Sequence, residues 1–351
     1  MKRIVFRKVQ IEVIVMNKND KEITITDVAR QAGVSMATVS RVVNGNNNVK
    51  ETTRKKVMEV IDKLHYRPNA VARGLASKKS TTIGVILPSM TDLLYANLAK
   101  GIDDVASMYK YNIILTSLKN GIGSEQQLFN DLLAKQVDGI IYMGEDVSAS
   151  LYKEMSNSRV PIVFASAIDP ENKFASVNID YVTAVRDVIK LLIDSGNTKI
   201  AMVTGNLDSP INSKFRLKGY QQALEQAGLK YSSANVFETV YNLTAGAAAW
   251  DAIQDSGATA AYVANDLLAA GVLNAALDAG VRIPEDFELI TGSNTILCDV
   301  TRPKMTSIAQ PLYDIGAVSM RMLTKLMNDE NIQDKTILLP YSLIKRGTTR
   351  N

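Results

Sequence analysis

Between residues 24 and 66, apolar positions recur at helical spacing in three short runs separated by turn residues. The first run predicts a helix over Asp27–Ala32, capped by Thr26, with the Asp27 carboxylate placed to complement the helix dipole. It stops at Gly33, which suits a left-handed C-terminal position. Ser35 then caps a second helix, Met36–Asn44, whose inward side is Val39, Val42 and Val43. Ala37, Ser40, Arg41 and Asn44 fall at i, i+3, i+4 and i+7 and make one polar stripe. A third helix, about Thr53–Leu64, turns Val57, Ile61 and Leu64 inward.

Three short helices with a glycine turn between the first two form a helix-turn-helix pattern. In such a unit the second helix enters the DNA major groove and offers its early residues to base edges. Arg41 has the donors to bond guanine O6 and N7 together, and Met36 and Ala37 can meet a thymine methyl. Ser35, Thr38, Ser40, Asn44 and Tyr66 suit phosphate oxygens, which position a protein without specifying sequence. Thr24 and Asn69 complete the set of expected DNA contacts.

The segment from Tyr66 to Lys79 begins a further helix at Pro68 but carries Gly74 inside it. So short a helix is marginal alone. The expectation is a hinge, residues 67–80, that is helical only when paired with its symmetry mate on DNA. Leu75 then serves as an apolar wedge between base steps in the minor groove.

From Thr82 onward the period changes. Strand-like runs at Ile83–Leu87, Asn112–Thr116, Gly139–Met143, Ile162–Ala165, Lys199–Thr204, Ala260–Ala264 and Glu288–Thr291 alternate with amphipathic segments. Those segments are Ala96–Met108, Glu125–Leu133, Tyr181–Asp194, Lys214–Ala227 and Leu267–Ala279. Alternation of this kind predicts doubly wound parallel sheets. The strands are too many for one sheet, so two α/β subdomains with a cleft between them are expected, ligands favouring the carboxyl ends of the strands.

Composition adds less. At 351 residues, 46% hydrophobic and 22% charged, the chain is an ordinary globular protein of two or three units. The net charge of +4 hides an asymmetry. Residues 1–80 carry 17 Lys/Arg and 7 Asp/Glu, a balance of +10, and the remainder carries 23 and 29, a balance of −6. A basic end on an acidic body points to a polyanion partner at that end. His65 is the only histidine and Cys298 the only cysteine, which leaves little for a serine-histidine triad, a metal centre or a disulfide framework. No Walker loop, dinucleotide fingerprint or paired-carboxylate signature is present. The expectation is therefore no enzyme, no cofactor and no metal.

Residues 1–15 alternate apolar and charged positions and lack the uninterrupted apolar stretch of a secretory signal. With Met16 opening a polar stretch, residues 1–23 are expected to be a disordered extension or a translation-start artefact. A cytoplasmic location without membrane contact is expected.

The run from ITITDVARQAGVSMATVSRVVNG through HYRPNAVARGLASKKS resembles the lactose-repressor/galactose-repressor family from end to end. That resemblance implies that Met36, Ala37 and Arg41 read bases, that Leu75 is the minor-groove lever, and that Ala72 packs against the same base steps. It extends to the body, where it implies the periplasmic-binding-protein fold. The fold class is then an all-α helix-turn-helix headpiece (24–66) on an α/β body of two doubly wound parallel-sheet subdomains (81–351). One subdomain is expected at 81–178 plus 311–333, the other at 179–308 plus 334–351.

VNGNNNVK, MYKYNIIL, KQVDGIIYMG and QPLYDIGAVSMRMLTKLMN are similar to a carbon-catabolite-control branch of the family. This implies a homodimer on a pseudo-palindromic DNA operator, with the seryl-phosphorylated phosphocarrier HPr as co-repressor. In the last segment Leu312, Ile315, Ser319, Met322 and Leu326 make a core stripe, and Arg321 and Lys325 lie four apart on another face. Like charges at that spacing cost a little in an isolated helix. With Tyr313 they are the expected docking residues for the phosphoserine, although a solvated basic pair is the common reading of such spacing.

The family's cleft commonly uses an arginine at the position of Arg216, and Asn294 falls in its acidic or amide motif. Here that motif reads Thr291-Gly292-Ser293-Asn294, and Ser166 stands near where sugar-responsive members have an aspartate. Loss of carboxylates weakens the case for a tightly held sugar. A weakly bound phosphorylated sugar remains a candidate effector, and the alternative reading is a repressor answering directly to a small sugar or nucleobase.

Overall fold

The computed structural model describes residues 23–46, 48–67, 79–117 and 125–350. The chain divides into two compact units between Lys78 and Lys79. The expectations for residues 1–22 and for Asn69, Ala72 and Leu75 of the hinge lie outside the described residues.

The headpiece has three helices, α1 (Ile25–Ala32), α2 (Met36–Val43) and α3 (Glu51–Leu64). The N-cap of α1 is Thr24 rather than Thr26, because Asp27 sits three residues into the helix and reaches back. Its carboxylate accepts both the Thr24 N–H at 3.0 Å and the Thr24 hydroxyl at 2.7 Å. Helix α1 ends on Gly33 at φ 64°, where a side chain would be strained. Val28, Ala29, Ala32, Val39, Val42 and Val57 form the buried core, with Val43, Ile61, Leu64 and Tyr66 half-buried around it. His65 merely terminates α3 in a left-handed conformation, at φ 50°.

The body begins with β1 (Thr82–Leu87), α4 (Leu93–Met108), β2 (Asn112–Ser117), α5 (Glu125–Ala134), β3 (Gly139–Tyr142), α6 (Ala149–Asn157), β4 (Ile162–Ala165) and β5 (Ala175–Asn178). It continues with α7 (Tyr181–Asp194), β6 (Ile200–Thr204), and a π-helical turn, Ile211–Arg216, that runs into α8 (Leu217–Gln226). Then come β7 (Val236–Glu238), α9 (Leu243–Asp255), β8 (Ala260–Val263), α10 (Asp266–Asp278), β9 (Glu288–Thr291), α11 (Leu297–Val300) and β10 (Thr306–Ala309). Helix α12 (Leu312–Met327) and strands β11 (Thr336–Leu338) and β12 (Ser342–Ile344) complete it.

The strands form two six-stranded sheets, ordered β11-β5-β4-β3-β1-β2 and β12-β10-β9-β8-β6-β7. Every neighbouring pair is parallel except β10 with β12. Each sheet thus repeats one doubly wound order, which reverses between β1 and β3 in the first and between β6 and β8 in the second. Crevices for ligands form outside the carboxyl ends of strands at such reversals.

The chain passes between the sheets three times: after β5, after β10 and after β11. The last passage corrects one boundary. Thr336–Leu338 pairs with Ser176–Asn178, so the chain leaves the first subdomain after residue 338 rather than at 334.

Helix α12 buries Leu312, Ile315, Ser319 and Met322, with Leu326 half-buried. It crosses α4 at very short range because two glycines meet there. A Cβ on Gly316 would stand 2.0 Å from the Leu98 carbonyl oxygen, and one on Gly101 2.0 Å from that of Tyr313.

Candidate nucleic-acid interface and body cleft

Helix α2 is built to be presented. The Ser35 hydroxyl accepts the Thr38 N–H at 3.2 Å and pairs with the Thr38 hydroxyl at 2.9 Å, which satisfies the first turn. Val39 and Val42 anchor the inner face. Opposite them Ala37, Arg41 and Asn44 are exposed and Ser40 is half-buried, so the predicted stripe exists as one surface. Met36 is 53% exposed at the helix start, where its sulfur accepts the Thr26 hydroxyl at 3.4 Å. Asn44 donates to Ser40 at 3.3 Å, and the Arg54 guanidinium holds the Asn46 carbonyl at 2.6 Å across the turn that follows α2.

Two expected contacts have other work in the fold. Thr24 spends its hydroxyl on capping α1, and the Tyr66 ring packs half-buried against the headpiece core.

In the body, loops from both sheet reversals meet. Glu145 follows β3 on the first sheet, and Arg216 ends the π-helical turn after β6 on the second. Their side chains form an ion pair in which the arginine side chain is 4% exposed and the glutamate 19%. The C-terminal subdomain grips Glu145 with further donors. Asn212 gives its amide N–H at 3.0 Å, Tyr241 its hydroxyl at 2.9 Å, and the Ser209 hydroxyl donates to the Glu145 carbonyl. Arg216 also donates to the Asn212 carboxamide oxygen at 2.7 Å and lies 5.4 Å over the Tyr181 ring. Its buried Nε has no hydrogen-bond partner.

Burial opposes the charge on Arg216, but Glu145 and the surrounding tyrosines outweigh it and hold the guanidinium protonated. Burial likewise keeps the Tyr241 phenol protonated, so its hydroxyl is a donor.

A second bridge joins two helix caps. Asn265 caps α10 and Asp92 caps α4, and the Asn265 amide donates to Asp92 at 3.1 Å across the cleft. Burial pushes the Asp92 carboxyl above its ordinary value. A third bridge pairs the Ser166 and Tyr181 hydroxyls at 2.9 Å.

Asn294 does not reach this group. Its oxygen accepts from Ser307 at 2.9 Å and from Arg346 at 2.8 Å, so it braces the carboxy-terminal strand. The carboxylate of the Gly-Ser-Asn loop comes instead from Asp266, which accepts the N–H groups of Ser293 and Thr295 and the Thr291 hydroxyl. Glu145, Asp92, Tyr241 and Asp266 escape a reading of the sequence alone. Their usable signal is position, since Asp92, Glu145 and Asp266 each lie just past a strand flanking a sheet reversal.

On α12 Arg321 and Lys325 are exposed, and with Asp314 they fall within about 40° on the helix circumference. Tyr313, 46% exposed, faces α4 and donates its hydroxyl to Asp104 at 3.2 Å. The three expected docking residues therefore form a band over α12 rather than one row. Among the described residues no group of His, Cys, Asp and Glu is placed to hold a metal, and no helix is long and apolar enough to cross a membrane.

These two assemblies define a transcription regulator: a helix-turn-helix headpiece on a two-subdomain, ligand-binding-type body. The chain belongs to the LacI family of bacterial regulatory proteins, whose model matches residues 24–69, while a periplasmic binding protein-like domain matches residues 189–349. It is 53% identical to catabolite control protein A of Streptococcus mutans over 95% of this chain and 100% of that one. Catabolite control protein A of Priestia megaterium is 49% identical over 93% of this chain and 99% of its own. Among solved structures, the lac repressor dimer bound to operator and the anti-inducer ONPF superposes with a TM-score of 0.83 at 28% identity, covering 94% of this chain and 99% of that chain. Its relatives are regulators, not enzymes.

Proposed function

We propose that this protein is a cytoplasmic regulator of carbon catabolite control that binds a pseudo-palindromic operator as a homodimer, with seryl-phosphorylated HPr as co-repressor. The carrying observation is α2, a capped helix held from behind by valines that offers Met36, Ala37 and Arg41 to a groove. The names of the relatives support catabolite control as the process served. The second copy has a place to dock: each sheet ends on an edge strand with exposed apolar residues at or beside it, Leu115 on β2 and Val240 and Leu243 after β7. Asn69, Ala72 and Leu75 follow as the minor-groove contacts of a paired hinge. Arg321 and Lys325, with Tyr313 beside them, offer the phosphoserine exposed cations on a helix fixed rigidly to α4.

The deciding experiment is capture of phosphorylated against unphosphorylated HPr by the full chain, repeated with Arg321→Ala and Lys325→Ala. Preference for the phosphorylated form, lost in both variants, is expected. Equal retention throughout removes the co-repressor while leaving DNA binding intact.

A second reading, direct response to a phosphorylated sugar or another small anion, draws support from the unpartnered Nε of Arg216.

A further inference from the structure

The Arg216 site already holds a carboxylate, and that carboxylate is the protein's own. Glu145 reaches from the first subdomain into the second and takes the guanidinium, an amide N–H and a phenol hydroxyl at once. The Ser209 hydroxyl closes on the same residue's carbonyl. Four donors from one subdomain converging on a single residue of the other is the pattern of a bound ligand, not of an incidental surface ion pair. We propose that Glu145 is a tethered ligand: it fills the anchor of the cleft, holds the two subdomains together, and excludes small molecules that cannot displace it. This deepens the second reading given above, because it states what the Arg216 site selects.

Three consequences follow from chemistry. A neutral sugar is a poor replacement for Glu145, because a buried guanidinium left with only neutral partners, the Asn212 oxygen and hydroxyls, loses its counter-charge. An anion can, and the free Nε–H of Arg216 offers it a donor that Glu145 does not use. A tethered group competes at an effective concentration in the millimolar range, so any anion that does enter binds weakly in the intact protein. Asp92–Asn265 and Ser166–Tyr181 also cross the cleft, but each is a single hydrogen bond between side chains, so Glu145 is the principal fastening.

The test uses the full chain with Glu145→Ala and Glu145→Gln. Thermal unfolding is followed in sodium acetate and in sodium chloride of matched ionic strength. Acetate is expected to raise the melting temperature of Glu145→Ala and to leave the wild type unmoved, since only the variant has a vacant anion position. Small-angle scattering is expected to show a more open body for both variants. Calorimetry with fructose 6-phosphate is expected to show a gain of at least about tenfold in affinity for Glu145→Ala, with fructose showing none. Should Glu145→Ala not fold, Glu145→Gln keeps the shape of the side chain, and its scattering carries the test.

Absence of acetate rescue together with unchanged scattering overturns the tethered-ligand assignment. Acetate rescue without any gain for fructose 6-phosphate upholds the assignment and removes the sugar-phosphate reading of the cleft.

Discussion

Asp138 accepts the backbone N–H of Thr81 at 2.8 Å, and its other oxygen accepts that of Ser80 at 2.8 Å. One carboxylate at the foot of β3 therefore fixes the point where the chain enters the body, with Thr81 held at φ 52°. Asp138→Ala removes charge-assisted acceptors from two N–H groups in half-buried residues, at a cost of about 1–2 kcal/mol. Urea unfolding of the variant is expected to show that loss. Operator affinity should fall as well, measured by fluorescence anisotropy, because the segment leading to the headpiece is no longer moored.

Arg41→Ala is expected to cost about 1–3 kcal/mol of operator binding and to relax preference at one base pair in each half-site. Competition among operators varied at single positions reads both effects. An unchanged preference at every position would remove Arg41 from base recognition.

Operator binding should weaken steeply with salt, since neutralised phosphates release counterions. A titration between about 50 and 200 mM salt is expected to lower affinity by two or more orders of magnitude. A flat response would contradict DNA binding through the basic headpiece.

Gly316→Ala should destabilise the body by about 1–3 kcal/mol, because its Cβ would meet the Leu98 carbonyl oxygen and push α12 away from α4. Since Tyr313 and Arg321 ride on the same helix, capture of phosphorylated HPr is expected to fall in parallel. A variant that loses stability but keeps full capture would show that the band on α12 tolerates the shift.

Acid sensitivity has an identifiable contributor at the cap of α7. Burial works against the charged form of Asp180, but the Thr183 hydroxyl and nearby backbone N–H groups outweigh it and hold its carboxyl below the ordinary value. A carboxyl lowered on folding adds stability above its unfolded pKa of about 3.9 and loses that stability as pH falls through the folded value. Asp180→Asn should therefore be less stable than wild type at neutral pH, with the gap closing below about pH 3.9. Denaturant melts at neutral pH and at pH 3 provide the comparison.

The headpiece was legible because its determinants are local. Gly33, Ser35 and the valine spacing of α2 act within one or two turns, and the structure mainly moves helix starts: α1 is capped by Thr24, where Asp27 reaches back, and α3 begins at Glu51. The seven strands read from apolar runs are all present. The five that escaped notice, β5, β7, β10, β11 and β12, are three or four residues long and each holds at least one Ser, Thr, Asn or Glu, so none offers the apolar run that marks the equally short β3, β4 and β8. Helix α9 escaped because its LTAGAAAW run is small rather than amphipathic. Gly246 lies where a Cβ would stand 2.1 Å from the Leu268 carbonyl oxygen, so close packing on α10 sets its composition. The cleft was legible only in part. Arg216 can be picked out by position, but its partner lies 71 residues away on another sheet, and nothing near Glu145 in the chain announces the pairing.

The three passages of the chain between the two sheets set how this body can move. A single tether would let the halves drift and twist independently. Three crossings between the same two sheets instead act as a hinge: they resist independent drift and favour swing of one subdomain against the other. Every event in the cleft, whether Glu145 is seated or displaced, is then expressed chiefly as a swing of one subdomain against the other.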